Sequence, residues 1–397
     1  MAAPYTRPLS PLERVWLTAD AMAPPFVGHI IFEGEGEAEL DRDTWQAAME
    51  TAAEANPGCR LVLRGRLWRC RWVDGGAAPP VRVVESGWSG MDAAGSAFLD
   101  DPLPPSAGPT CELVIVPGET ARVVFRAHHA VMDGRGILTW AEDFFRVLRG
   151  EEPLGSRSSV TDIELARSFQ SERMKLVPED ALPPTGAAEG ATRGGSWSRV
   201  RVPAPVSLLV PRVAALLARE TRRRGEGTVR VQIPVDMRPR REGLRSTGNL
   251  TGMLYLEVAP ESTPEELGAE LRRQLDGRRE GVQMGPMEAL RFVPLRVMRR
   301  RGLEGTARMQ KNGRYGISAT LSNLGRLPLE RYRGGGFRAT AGFTIPPTTG
   351  NHPLFVGLSG SADWIDLVGS APSVLATGGR LDELMHRIAA GLAGGPA

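Results

Sequence analysis

The sequence predicts an α+β protein of two lobes, and three observations carry that expectation. The chain has 397 residues, more than one hydrophobic core usually serves. Apolar alternation of period two and apolar stripes of helical spacing are intermixed, without the strict strand-helix alternation of a doubly wound fold. A weakly patterned stretch, rich in Gly, Ala and Pro over residues 183–195, separates two strongly patterned halves. The expected division is a first lobe over residues 1–155, a connecting segment over 156–202 and a second lobe over 203–397.

In the first half, Ser10-Pro11-Leu12-Glu13 is a capping box with proline at the first helical position, so a short helix carrying Leu12, Val15 and Trp16 starts there. A strand is expected near residues 29–33. A helix from about Asp41 presents Trp45, Ala48, Met49 and Ala52 on one face and stops at Asn56-Pro57-Gly58. Alternation of Leu61 and Leu63, then of Trp68, Cys70 and Trp72, reads as a hairpin around Arg64-Gly65-Arg66. A second hairpin joins residues 113–116 to 122–127 through Pro117-Gly118-Glu119-Thr120, and its second strand leads into His128 and His129. Ile137, Trp140, Ala141, Phe144 and Leu148 then recur at helical spacing.

In the second half the expected helices cover 206–222, the run after the capping box Thr263-Pro264-Glu265-Glu266, and 381–392, with a short candidate at 164–175 in the connecting segment. Strands are expected at 229–235, 254–258, 317–321, 337–343, 354–358 and 364–368.

Composition excludes several classes of function. Hydrophobic residues at 41% and charged residues at 24% are those of a folded globular chain, which rules out wholesale disorder. The net charge of +3 is too small to argue for nucleic acid, and it comes almost wholly from arginine, with lysine only at Lys175 and Lys311. That bias, with abundant Ala, Gly and Pro, points to a GC-rich bacterial genome. Cys59, Cys70 and Cys111 have no Cys-x-x-Cys spacing, and His29, His352 and His386 are scattered, so neither a disulfide framework nor a metal site is expected. This cysteine usage makes a reducing cytoplasm the expected location, and no signal peptide or membrane span is expected.

The chemistry concentrates at His128-His129-Ala130-Val131-Met132-Asp133-Gly134, where a strand ends and Gly134 permits a sharp exit. A histidine at a strand end beside a cleft can take the proton of a hydroxyl or amine as that group attacks a carbonyl, and His129 is the candidate base. Asp133 either orients this histidine or is turned away to pair with an arginine and lock the loop. The chain lacks a Gly-x-Ser-x-Gly elbow, and Cys111 has no activating neighbour, so no acyl-enzyme is required.

These seven residues match, at every fixed position, the His-His-x-x-x-Asp-Gly signature of the condensation-domain and chloramphenicol-acetyltransferase superfamily, which the chain therefore resembles. The segments 8–16, Asn56-Pro57, 233–240 with Gly248-Asn249, and Ser322-Asn323-Leu324-Gly325-Arg326 resemble its stand-alone bacterial members, such as the polyketide-associated acyltransferases. The resemblance implies two similar lobes forming a V with a tunnel between them and His129 as base at its centre. It implies that His128, Asp133 and Gly134 are structural, with Asp133 salt-bridged to an arginine, a role Arg238 fits. The Asp-Phe-Gly-Trp-Gly motif of the plant members is absent, and Ser322 or Asn323, near where it would fall, is a candidate donor toward the tetrahedral oxyanion.

The implied reaction moves an acyl group from a phosphopantetheine thioester, on coenzyme A or a carrier protein, to a small-molecule alcohol or amine, with no permanently bound cofactor. The contrasting expectation is a catalytically silent docking module of a biosynthetic assembly line. Hydrolysis or cyclisation on the same fold is a third. The runs Arg222-Arg223-Arg224 and Arg299-Arg300-Arg301 fit either solvated helix ends or a site for phosphates or an acidic carrier surface, and Gly334-Gly335-Gly336 reads as a strand connection.

Overall fold

In the computed structural model, residues 4–19, 25–36, 40–190, 193–285 and 287–394 are described. Residues 191 and 192 of the Gly/Ala/Pro-rich stretch lie outside them. The main strands are β1 (Val27–Gly36), β2 (Val81–Val83), β3 (Cys111–Val116), β4 (Ala121–His128), β5 (Gly195–Pro203), β6 (Arg230–Asp236), β7 (Thr251–Glu257), β8 (Ala319–Arg326), β9 (Arg333–Gly334), β10 (Phe337–Ile345), β11 (Phe355–Gly360) and β12 (Trp364–Pro372). They form two six-stranded sheets, ordered β9-β10-β1-β4-β3-β2 and β7-β6-β8-β11-β12-β5.

The main helices are α1 (Pro11–Ala19), α2 (Arg42–Ala55), α3 (Gly134–Leu148), α4 (Asp162–Arg167), α5 (Leu209–Arg222), α6 (Pro264–Asp276), α7 (Leu295–Asn312) and α8 (Arg380–Ala393). Both expected capping boxes are present. Ser10 Oγ accepts from the Glu13 amide at 3.2 Å while Glu13 accepts from the Ser10 amide at 3.0 Å, and Thr263 and Glu266 do the same at 3.2 and 3.0 Å.

Each sheet has its own core. The apolar stripes of α2 and α3 bring Trp45, Trp140, Phe144 and Phe145 onto Phe32 and Phe125 of the first sheet, with Phe125 edge-on to Trp140 at 5.0 Å between ring centroids. Burying each such ring contributes about 1.5–3 kcal/mol. On the second sheet α5 and α8 cover Val231, Leu321, Val356 and Leu367 with Leu217, Met385 and Ile388.

Several findings differ from the sequence expectation: α7 is a helix not expected there, and Leu67–Arg69 is a 3-10 turn that leaves Trp68 exposed ahead of a strand that starts at Arg71. Residues 337–345 are not in the second sheet: β10 runs antiparallel to β1, pairing Ile345 with His29 and Phe337 with Gly36, so the second half of the chain lends an inner strand to the first sheet. Local alternation marks a strand but carries no information on its neighbour. The helix expected at 164–175 closes at Arg167, where Ser168 caps it, and Arg173–Met174 then pairs with Gln283–Met284 as a short parallel ladder.

The sheets are fastened together by a buried ion network. Arg199 of β5 donates to Glu33 of β1 at 2.8 Å and to Asp366 of β12 at 2.9 Å, with its guanidinium 3.7 Å over the Phe343 ring. Arg201 joins Asp366 at 2.9 Å, and Arg122 joins Glu33 at 3.2 Å.

Candidate active site

The site begins where β4 runs out. The His128 amide donates to Thr110 O at 2.8 Å, continuing the sheet toward β3, and the His129 amide donates to Phe26 O at 3.0 Å, continuing it toward β1. The loop then curls on itself. The Val131 amide donates to His128 O at 2.8 Å, and the Ala130 amide donates to His128 Nδ1 at 3.1 Å, so the buried His128 ring is a brace inside the turn. Arg7, ion-paired with Glu13, donates to Val131 O at 3.1 Å from below.

His129 is held differently. Its Nδ1 lies 2.8 Å from Met132 O. A carbonyl can only accept, so Nδ1 carries the proton and Nε2 keeps its lone pair. Trp16 of α1 stacks on the imidazole at 4.8 Å and 11°, and Phe26 packs against it at 5.2 Å. Burial lowers its pKa below the usual histidine value, against the opposing pull of the Met132 carbonyl and the Asp133 charge, so the ring is neutral at pH 7.

Asp133 makes no hydrogen bond to His129. Its Oδ1 accepts from the Gly136 amide at 2.7 Å, which caps α3, and from Arg238 Nη2 at 2.9 Å. Its Oδ2 accepts from Arg238 Nη1 at 3.3 Å, the Leu250 amide at 2.8 Å and Thr251 Oγ1 at 3.0 Å. Burial by itself would raise this carboxyl, but the Arg238 charge and these donors outweigh it and hold the pKa below the usual value. Arg238 in turn donates to Ser246 O at 2.9 Å, Gly248 O at 2.5 Å and Asp236 at 2.8 Å. The pair thus ties the histidine loop to the loop between β6 and β7 of the second sheet.

Gly134 is not the sharp, backbone-strained exit the sequence suggests. It is the first residue of α3 and has no left-handed backbone; its value is space, because a Cβ there would sit 3.2 Å from Leu324 Cδ2 beside the cavity. The stronger requirement is at Gly136, unmarked by the sequence, where a Cβ would lie 2.2 Å from Thr247 O and force α3 off the 246–250 loop.

His129 faces a cavity of about 400 Å³ between the two sheets. Apolar side chains dominate its wall, among them Val15, Phe26, Ile137, Pro234, Met253 and Phe355, and Leu176, 70% exposed, marks a mouth. Ser322 and Leu324 line it from β8, whereas Asn323, one residue out of phase, is exposed and its Oδ1 accepts from the Gly325 amide at 2.9 Å. Strand alternation therefore takes Asn323 out of the candidate donor set. His29 and His352 also line the cavity, and burial pushes them down to about 3 and about 4, so both are neutral at pH 7.

Other candidates fall away from the site. Cys59 and Cys111 are buried, and burial pushes both thiols up, away from nucleophilic chemistry. Among the described residues no three His, Cys, Asp or Glu are grouped to hold a metal ion, and no helix is long and apolar enough to cross a membrane. Arg223 and Arg224 pair with Glu220 and Glu383, and Arg300 and Arg301 with Glu304. Gly334-Gly335-Gly336 turns β9 into β10.

No protein-family model matches the sequence, nor does any curated protein. Solved structures do match. The condensation domain of monacolin K polyketide synthase gives a TM-score of 0.64 at 15% identity, covering 99% of this chain and 98% of that one. A mutant starter condensation domain of rhizomide synthetase, in complex with C8-CoA, gives 0.63 at 16% identity over 97% and 93%. The first condensation domain of the calcium-dependent antibiotic synthetase, in complex with a substrate analogue, gives 0.64 at 15% over 98% and 95%. The chain thus has the condensation-domain fold over nearly its whole length, two chloramphenicol-acetyltransferase-like lobes set as a V, which is the α+β class the sequence predicts.

Proposed function

We propose that this protein is an acyltransferase in which His129 is the general base, moving an acyl group from a phosphopantetheine thioester to a hydroxyl or amine acceptor. One observation carries the reading: an imidazole whose Nδ1 is committed to Met132 O leaves Nε2 free beside a largely apolar cavity. The acceptor's O–H or N–H proton passes to Nε2 as its oxygen or nitrogen bonds to the thioester carbonyl carbon. The tetrahedral oxyanion collapses, the C–S bond breaks, and the proton returns to the leaving thiolate. A low-dielectric wall strengthens every dipole aimed at that oxyanion. The thioester donor is supported by the rhizomide synthetase domain, solved with C8-CoA and, in another mutant, with C8-CoA and Leu-SNAC.

Ser322 is the proposed oxyanion donor, because Thr320 and Thr344, the neighbouring hydroxyls of the wall, already donate to Gln232 Oε1 at 3.1 Å and His29 O at 2.9 Å. Ser322→Ala is expected to lower kcat by about 10- to 100-fold with KM little changed. An unchanged kcat removes Ser322 from the mechanism.

The pH dependence has a definite sign. The base works only when neutral and burial lowers its pKa, so with an alcohol acceptor kcat/KM is expected to fall as pH drops through a pKa below that of free histidine and to level off above it.

The reading itself is tested by incubating the protein with acyl-CoA and acyl-carrier thioesters and a panel of alcohols and amines, following thiol release and product mass. Ester or amide formation supports transfer. Free acid with no acceptor consumed makes the protein a hydrolase, and no turnover with any pair leaves the docking module.

A further inference from the structure

Behind the histidine cavity lies a second, smaller one of about 60 Å³, and the two share Leu12, Thr251, Met253, Met284 and Met287 as walls. Methionine is the most adaptable apolar side chain, so this partition yields to a narrow group pushed between its thioethers. Two carboxylates that the mechanism above does not use line the far side. Asp162, the first residue of α4, is 6% exposed, and Glu280 is 1% exposed. Each keeps one carboxylate oxygen, Asp162 Oδ1 and Glu280 Oε2, with no hydrogen-bond partner. An ionised carboxylate left in that condition is costly, which makes the pair informative.

The local charge does not balance. Glu13 is paired with Arg7, and Glu280 through its other oxygen with Arg240 at 2.6 Å, whereas Asp162 has the Ser10 hydroxyl and no cation of its own. Three carboxylates, Glu13, Asp162 and Glu280, thus face two guanidiniums. Burial first, and Glu13 next, push Asp162 up to about 7. When Asp162 ionises the group is one positive charge short, and the space beside it holds a few non-hydrogen atoms.

We propose that Asp162 and Glu280 form an acceptor subsite for an ammonium group, so that the acceptor is a bifunctional molecule with a nucleophilic hydroxyl or amine at His129 and a cationic amine held by these carboxylates. The inference rests on the acyltransferase reading for the first of those functions and on the unmatched carboxylates for the second. An ammonium is small enough for the cavity and supplies the charge that ionised Asp162 lacks, and the two free oxygens, shut off from the cavity as the side chains stand, turn to meet it. The neutral nucleophile stays on the His129 side, where it loses its proton to Nε2.

The test is a binding measurement that does not need turnover. A series of straight-chain ω-amino alcohols and the alkanols of matching length is titrated calorimetrically, at pH 8, into the full-length protein and its His129→Ala variant. The best amino alcohol is expected to bind both proteins alike and at least about tenfold tighter than its alkanol. Asp162→Asn and Glu280→Gln should each cut that preference to below about threefold. Asp162→Asn should also raise the melting temperature more at pH 8 than at pH 6, because it removes a buried charge that forms only at the higher pH. Met284→Trp, which fills the partition, is a steric variant that leaves both carboxylates in place and should abolish the preference. Equal affinity for amino alcohol and alkanol, or a preference that survives the Asp162 and Met284 variants, overturns the proposal. A preference that behaves as expected in a protein without transferase activity refutes the catalytic reading and leaves the subsite standing.

Discussion

His129→Ala is expected to lower kcat/KM for acyl transfer by about 10²- to 10⁴-fold, the range in which a positioned general base acts. The loss belongs in kcat, because the apolar wall that holds the substrates is otherwise intact. The side chain bonds the backbone only at Met132 O and stacks on Trp16 at the cavity edge, so the variant should fold, as checked by circular dichroism and its melting transition. His129→Gln offers an acceptor but cannot carry the proton, and is expected to be nearly as inactive. Retention of more than about a tenth of wild-type activity by either variant assigns the proton to another group, or to the thioester itself.

Arg238→Ala is expected to have the largest effect on stability. It strands the Asp133 carboxylate, 4% exposed, without its cation, and breaking a buried pair from one side costs about 3–5 kcal/mol. Asp133 is further held by the Gly136 and Leu250 amides and the Thr251 hydroxyl, so its charge has nowhere else to go. The double change Asp133→Ala with Arg238→Ala should therefore cost less than the sum of the two single changes, and denaturant titrations of the four proteins measure that coupling. The pH sign is set by the two shifts. Asp133 is held below its unfolded value, so its contribution is present above about pH 4 and fades as pH falls through the folded pKa; Arg238, held above its own, stays charged throughout. If Arg238→Ala melts within a degree or two of the wild type across neutral pH, the ion pair is not what joins the histidine loop to the second sheet.

Both effects start from seven residues that were legible in the sequence, and the reason is local. His128, His129, Asp133 and Gly134 lie on one strand end and one helix start, where spacing alone places them in one loop. The same holds for the capping boxes at Ser10 and Thr263 and for the strand that delivers the histidines. What stayed hidden depends on contacts between distant parts of the chain. Nothing in 337–345 shows that it pairs with β1, and nothing near Trp16 shows that its ring lies on His129. Nothing local marks Gly136, whose constraint comes from Thr247 O, or brings together Asp162 and Glu280, 118 positions apart. Asn323 shows the opposite failure, a chemically apt residue placed on the wrong side of a strand by one step of register.

The central claim is that one imidazole stands neutral, with its proton on Nδ1 and its lone pair toward the cavity. Nitrogen-15 NMR of protein labelled at its five histidines, with His129→Ala to assign the resonance, reads tautomer and pKa directly. The geometry predicts that residue 129 shows the Nδ1–H tautomer at pH 7 and titrates below 6.5. A ring that carries its proton on Nε2, or that is still charged at neutral pH, contradicts it.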